Sequence, residues 1–199
     1  MDAQFVKSVF TLKDLPQDRL PEIAVAGKSN VGKSSLLNKL LKKRNLAKTS
    51  QTPGKTRCLN YFQVTPDKRG PFYLVDLPGY GYAKVSQSMR DEWARLIEGY
   101  LALPDRPRGI IALFDSRREP TDVDLDWIAW LAQWGRPYLI VLTKCDKLSN
   151  NEKAQSLRRW TLDEPTAQKP LLSSALDGTG AEKIWQWVDT VRAGRAAAA

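Results

Sequence analysis

Residues 22–26, EIAVA, run without a break into 27–35, GKSNVGKSS, and the join between the two decides the fold. The first five residues read as a strand buried on both faces. The next eight, Gly27, Lys28, Ser29, Asn30, Val31, Gly32, Lys33 and Ser34, match G-x-x-x-x-G-K-[ST]. Glycines at both ends let the chain turn so that successive N–H groups face inward at phosphate oxygens. Lys33 then reaches the terminal phosphates, and the Ser34 hydroxyl is placed to ligate Mg2+. Ser35 continues the stretch as a further candidate contact, and the helix that follows adds the partial positive charge of its N-terminus.

Outward from this join, apolar runs alternate with amphipathic ones. CLNYFQV (58–64), FYLVDL (72–77), GIIALFD (109–115), PYLIVLT (137–143) and PLLSS (170–174) read as strands. Between them, Lys33–Lys43 places Leu36, Leu37, Leu40 and Leu41 on one face and Lys39, Lys42 and Lys43 on the other. Met89, Trp93, Leu96, Ile97 and Tyr100 recur at helical spacing, and helices are also expected near 121–134, 150–160 and 180–193. The alternation predicts an α/β fold of three layers, a mostly parallel sheet of about six strands with helices on both faces. Residues 1–21 are expected as an N-terminal extension packed on a domain spanning 22–194, with 195–199 a disordered tail. The stretch 45–57, rich in Gly, Pro, Thr and Lys, should be a loop between the first helix and the second strand.

Composition narrows the chemistry. The chain has 199 residues and no histidine, so the usual general base, the usual zinc ligand and every Ser/His or Cys/His pair are excluded. Cys58 and Cys145, the two cysteines, are far apart and read as reduced thiols of a cytoplasmic protein. No run is long and apolar enough to span a bilayer, and no membrane role is expected. The net charge of +9 is uneven: residues 1–60 hold 12 Lys and Arg against 4 Asp and Glu, and 61–199 hold 19 against 18. No acid lies between Ile23 and Pro66, a one-sided field that suits an anionic partner.

Three further motifs sharpen the nucleotide reading. VDLPG ends a strand at Asp76, Leu77, Pro78 and Gly79, which puts a carboxylate near Mg2+ through water and a flexible N–H beside the γ-phosphate. TKCD, Thr143, Lys144, Cys145 and Asp146, follows another buried strand. There the Asp146 carboxylate can accept two hydrogen bonds from the guanine edge while the Lys144 stem covers the ring. SSA, Ser173 to Ala175 with Ser174 between, can offer a backbone N–H to the guanine carbonyl. Trp127, Trp130 and Trp134 fall on one face of a helix and read as core packing.

With GKSNVGKSS, TPGKT, DLPGYGYAKVS, TKCD and SSA in this order, the chain resembles the EngB family of small bacterial GTPases, within the translation-factor-related P-loop group that has a Ras-like G domain. The resemblance covers nearly the whole domain. It implies that Thr56 ligates Mg2+ when GTP is bound, together with Ser34, and that Gly54, Lys55, Thr56, Arg57 and Cys58 approach the nucleotide. It also implies that Asp76 to Gly79 begin the second switch, with Lys33, Thr56 and Gly79 serving catalysis. Asn30 stands where related GTPases hold K+. Thr143 replaces the asparagine common in GTPases, and Tyr80 stands where many place a water-orienting glutamine, so slow unaided hydrolysis of GTP to GDP is expected.

The family is involved in large ribosomal subunit assembly and linked to cell division and septation. The partner implied is the large subunit or its RNA, met by a monomer through Lys39, Lys42, Lys43, Arg44, Lys48, Lys55 and Arg57. The alternative is a nucleotide-gated scaffold, RNA-binding or division-associated, for which hydrolysis is incidental.

Overall fold

The computed structural model describes residues 1–47, 58–67, 69–79, 87–161 and 169–194. Seven strands of these described residues form one sheet: β1 (Asp2–Val9), β2 (Glu22–Gly27), β3 (Leu59–Thr65), β4 (Phe72–Asp76), β5 (Gly109–Asp115), β6 (Tyr138–Thr143) and β7 (Leu171–Leu172). Their order is β1-β3-β4-β2-β5-β6-β7, and β3 alone runs against the rest. Among the described residues five helices cover it: α1 (Lys33–Leu40), α2 (Gln87–Leu101), α3 (Asp122–Gln133), α4 (Asn150–Trp160) and α5 (Ala181–Arg192).

The three layers follow from alternation along the central strands. Ile23 and Val25 of β2 pack with Leu36, Leu37 and Leu40 of α1 and with Ile184, Val188 and Val191 of α5. Ala24 and Ala26 turn the other way, into the cluster holding Leu96 and Tyr100 of α2, Ile128 and Leu131 of α3 and Trp160 of α4. Parallel pairing of β4, β2, β5 and β6 brings their C-terminal ends to one edge, where open α/β sheets place their ligands. Below that edge, Glu22 is buried at the start of β2 and accepts from Tyr61 at 3.1 Å, Tyr100 at 2.7 Å and Arg106 at 3.0 Å. Burial raises its carboxyl above the ordinary range, against the pull of these three partners.

Several expectations are corrected. The sheet has seven strands where about six are expected, because β1 pairs antiparallel with β3 and extends the sheet into the first residues of the chain. The first helix ends at Leu40 rather than Lys43: Lys42 has φ 52°, and the Asn38 amide holds Ala47 in both directions at 2.8 Å. Lys42 and Lys43 therefore sit on a loop, not on a helix face. The last strand keeps two residues of the five in PLLSS. Trp127 and Trp134 pack partly on the core, but Trp130 is exposed and the three rings stack along α3, 5.2 and 6.0 Å apart. No helix among the described residues is long and apolar enough to cross a membrane.

Candidate nucleotide-binding site

The loop from Gly27 to Ser34 leaves β2 and enters α1 at the ligand edge of the sheet. Two of its residues have left-handed backbone, Asn30 at φ 62° and Gly32 at φ 106°, so the loop folds back toward its own start. Gly27 packs too closely for a side chain: a Cβ there would lie 2.9 Å from Val31 Cγ1 and 3.0 Å from the Leu113 carbonyl oxygen. The Lys33 ammonium is paired with Asp76 at the end of β4 and donates to the Leu77 carbonyl at 2.7 Å. Gly79 rests on the loop, where an added Cβ would lie 3.3 Å from Ser29 N and 3.5 Å from the Gly27 oxygen. The sequence-distant DLPG stretch, with Pro78 between, is thus laid against the loop it should serve.

Strand register brings the third motif alongside. β5 pairs with β6 so that Asp115 faces Thr143, and the Thr143 hydroxyl lies 2.6 Å from the Val31 carbonyl oxygen. Lys144 takes φ 61° and donates to the Asn30 carbonyl at 2.6 Å and to Asp115 at 3.0 Å. One lysine therefore ties the TKCD turn to the phosphate loop. Cys145 is buried and its N–H donates to the Ser173 carbonyl at 3.2 Å, which docks TKCD onto SSA. The Ser174 hydroxyl donates to Asp146 Oδ1 at 2.8 Å while accepting from Leu176 N–H at 3.1 Å. That hydroxyl bond holds the Asp146 carboxyl below its ordinary range, ionised and oriented to accept. Ala175 follows in the same turn.

Two side chains depart from the sequence reading. Lys28 lies in the motif, but its ammonium turns away to Thr121 Oγ1 at 2.7 Å and Asp124 at 2.9 Å, at the N-terminus of α3, leaving the backbone of that residue for a phosphate. Cys58 is buried with its thiol 3.4 Å from Asn60. Asp115 was not singled out by any motif. Burial alone would raise its carboxyl, yet bonds from Arg117 at 2.8 and 2.9 Å and from Lys144 hold it well below the usual carboxylate range. The signal was its place at the end of β5, in register with TKCD. Gly54, Lys55, Thr56, Arg57 and Tyr80 lie outside the described residues.

The donor set fits Mg2+. Ser34 and Asp76 offer hard oxygens, and among the described residues no group of three or more Cys, Asp and Glu could hold a metal alone. A cation here would complete its shell from phosphate and water, as Mg2+ does in nucleotide sites.

Comparison with known proteins agrees with this geometry. The family model described as "50S ribosome-binding GTPase" matches residues 22–144. A protein of Citrifermentans bemidjiense named "Probable GTP-binding protein EngB" is 44% identical over 190 residues, 94% of this chain and 86% of that one. The chain belongs to the EngB family of GTPases. Relatives of the same name in Chlorobium luteolum, 43% identical over 100% of this chain and 94% of its own, and in Solibacter usitatus, 45% identical over 96% of each, extend the match past both ends of the family model. Solved structures share the fold. A probable GTP-binding protein engB superposes with TM-score 0.63 at 19% identity over 87% of this chain and 100% of its own. Era in complex with MgGDPNP and a segment of 16S ribosomal RNA gives 0.72 at 21% over 90% and 58%. In this EngB-family domain the phosphate loop, DLPG and the TKCD and SSA pair lie together at one edge of the sheet.

Proposed function

We propose that this GTPase is a nucleotide-dependent switch acting in assembly of the large ribosomal subunit, with normal cell division depending on it. The observation carrying the nucleotide half is the chain of contacts Ser174–Asp146 and Lys144–Asn30, which links a guanine acceptor to a phosphate loop in one rigid edge. Gly27 to Ser34 wrap the phosphates, Lys33 exchanges Asp76 for the β- and γ-phosphates, and Asp146 and Ala175 select guanine. Ser34, Thr56 and, through water, Asp76 would hold Mg2+, which would supply positive charge against the negative charge developing between the phosphates. Lys33 and the loop amides stabilise that charge as the bond breaks, and Gly79, already against Ser29, carries the change at the γ-phosphate into the second switch. Asn30, exposed and left-handed, is the candidate for K+; faster turnover in KCl than in NaCl at equal ionic strength tests it.

The ribosomal half is supported by the description of the family model and by the cations of residues 39–44, four Lys and Arg without an acid. With Tyr80 in place of a glutamine, hydrolysis waits on a partner. Single-turnover hydrolysis measured with and without large subunits tests the switch. Acceleration is expected, and an unchanged rate with subunits bound would favour a scaffold for which hydrolysis is incidental.

A further inference from the structure

An open groove of about 890 Å³ runs between α1 and α5, from Ser35 and Ala175 beside the nucleotide site toward Arg44. Lys39, Lys42, Lys43 and Arg44 line it against one opposing acid, Glu182, and Trp185 lies among them half-buried. The Trp185 ring meets Phe72 in a T-shaped contact at 6.2 Å, so it is a fixed plate rather than a loose side chain. Lys39 is anchored at 3.2 Å from the Leu176 carbonyl. Lys43 pairs with Asp2 at 3.0 Å, both ends exposed, a contact weak enough to be exchanged for a stronger anion.

The cationic loop is built, not draped. Lys42 at φ 52° and Asn45 at φ 62° both occupy the left-handed region, which costs each of them energy. Asn38 pays that cost by clasping Ala47 in both directions, and the Lys43 N–H adds a bond to the Asn38 carbonyl at 3.1 Å. Such over-determined strain gathers where a loop must present its side chains in one arrangement.

We propose that this groove receives an unpaired stretch of RNA, its phosphates on Lys39, Lys42, Lys43 and Arg44 and one base stacked on Trp185. A cationic wall facing an aromatic plate is the arrangement that grips a single strand through charge and stacking. In a duplex the bases are already stacked and turned inward, so Trp185 would have nothing to receive. The proposal rests on the ribosomal reading above and deepens it by naming the structure of the RNA and the residue that senses it. Because Ser35 and Ala175 close the upper end of the groove, the occupant lies next to the bound nucleotide.

The test titrates the full chain, in GDP and in a non-hydrolysable GTP analogue, with a fluorescent ten-nucleotide oligouridylate and with an RNA hairpin of equal charge. Wild type should prefer the unpaired strand. Trp185→Ala should weaken it about tenfold, Trp185→Phe should restore most of the loss, and hairpin binding should not move. With about four phosphate contacts the logarithmic salt slope should be near −3. Unchanged GDP affinity and melting temperature confirm that the variants fold. Equal affinity for strand and hairpin, a silent Trp185→Ala, or displacement of the RNA by polyglutamate at matched charge would overturn the proposal. If the double variant Lys42→Glu/Lys43→Glu loses large subunits in sedimentation while Trp185→Ala is silent throughout, the groove assignment fails and the ribosomal reading stands. If wild type binds no subunits, the ribosomal reading fails and the groove falls with it.

Discussion

Replacing Ser174 with alanine removes from the base-reading corner the hydroxyl's bond to Asp146 and its acceptance from the Leu176 and Asp177 N–H groups. The hydroxyl donates to Asp146 at 2.8 Å and is itself fixed by the Leu176 N–H, so it sets the direction in which the carboxylate faces. A hydrogen bond to a charged group is worth ~1.5–3 kcal/mol. The Asp146 side chain retains 13% of its exposure and Lys147 stands 3.5 Å away, so water and that lysine recover part of the loss. The low end of the range applies, and it corresponds to about a tenfold weaker Kd. Because the contact lies at the base, Ser174→Ala should weaken GDP and a GTP analogue equally, and should narrow the preference for guanosine over inosine nucleotides. Titration with a ribose-labelled fluorescent nucleotide reads all three. A folded variant within twofold of wild type, or one that loses GTP alone, would refute the assignment of Asp146 as the oriented acceptor.

Other outcomes follow from buried charge and backbone. Asp115 has a depressed carboxyl, so its contribution is present above its ordinary value of about 3.8 and is lost as pH falls through the folded value. Asp115→Asn should therefore cost stability at neutral pH, with the deficit shrinking in acid, as read by denaturant titration at several pH values. Glu22 has the opposite sign: its carboxyl is raised from about 4.5, so its contribution is full below that and declines as pH rises through the folded value. Glu22→Gln should flatten this decline. At Gly180, φ is 79° and an added Cβ would lie 2.3 Å from the Leu172 carbonyl oxygen, whereas at Gly135, φ 74°, it would meet nothing within 4 Å. Gly180→Ala should cost about 3 kcal/mol and Gly135→Ala about 1 kcal/mol by thermal unfolding; equal losses would contradict the packing of α5 on β7.

The nucleotide edge was legible because each motif ends a strand with a strong apolar run, and parallel strands bring those ends together whatever lies between. β1 was not legible for a physical reason. A bulge between Phe5 and Lys7 breaks the alternation that identifies a strand, leaving Ala3 and Val9 buried and Phe5 and Val6 exposed. The end of α1 was hidden by its lysines: Leu41, Lys42 and Lys43 continue a helical pattern, and only the clasp of Asn38 on Ala47 turns the chain away. The side-chain partner of Lys28 and the part played by Asp115 escaped because Asp124 and Lys144 are distant in sequence and meet them only through the sheet. The tryptophans of α3 share a helical face, as core residues do, but that face reaches the edge of the layer, so Trp130 lies on the outside.

The function proposed for this chain is that of a guanine-nucleotide switch that meets ribosomal RNA through a basic surface. Sedimentation of the protein with purified large subunits, in GDP and in a non-hydrolysable GTP analogue across a salt series, tests it most directly. Association favouring the GTP analogue and falling steeply with salt is the expected result. Equal association in both nucleotides, or none in either, would contradict it.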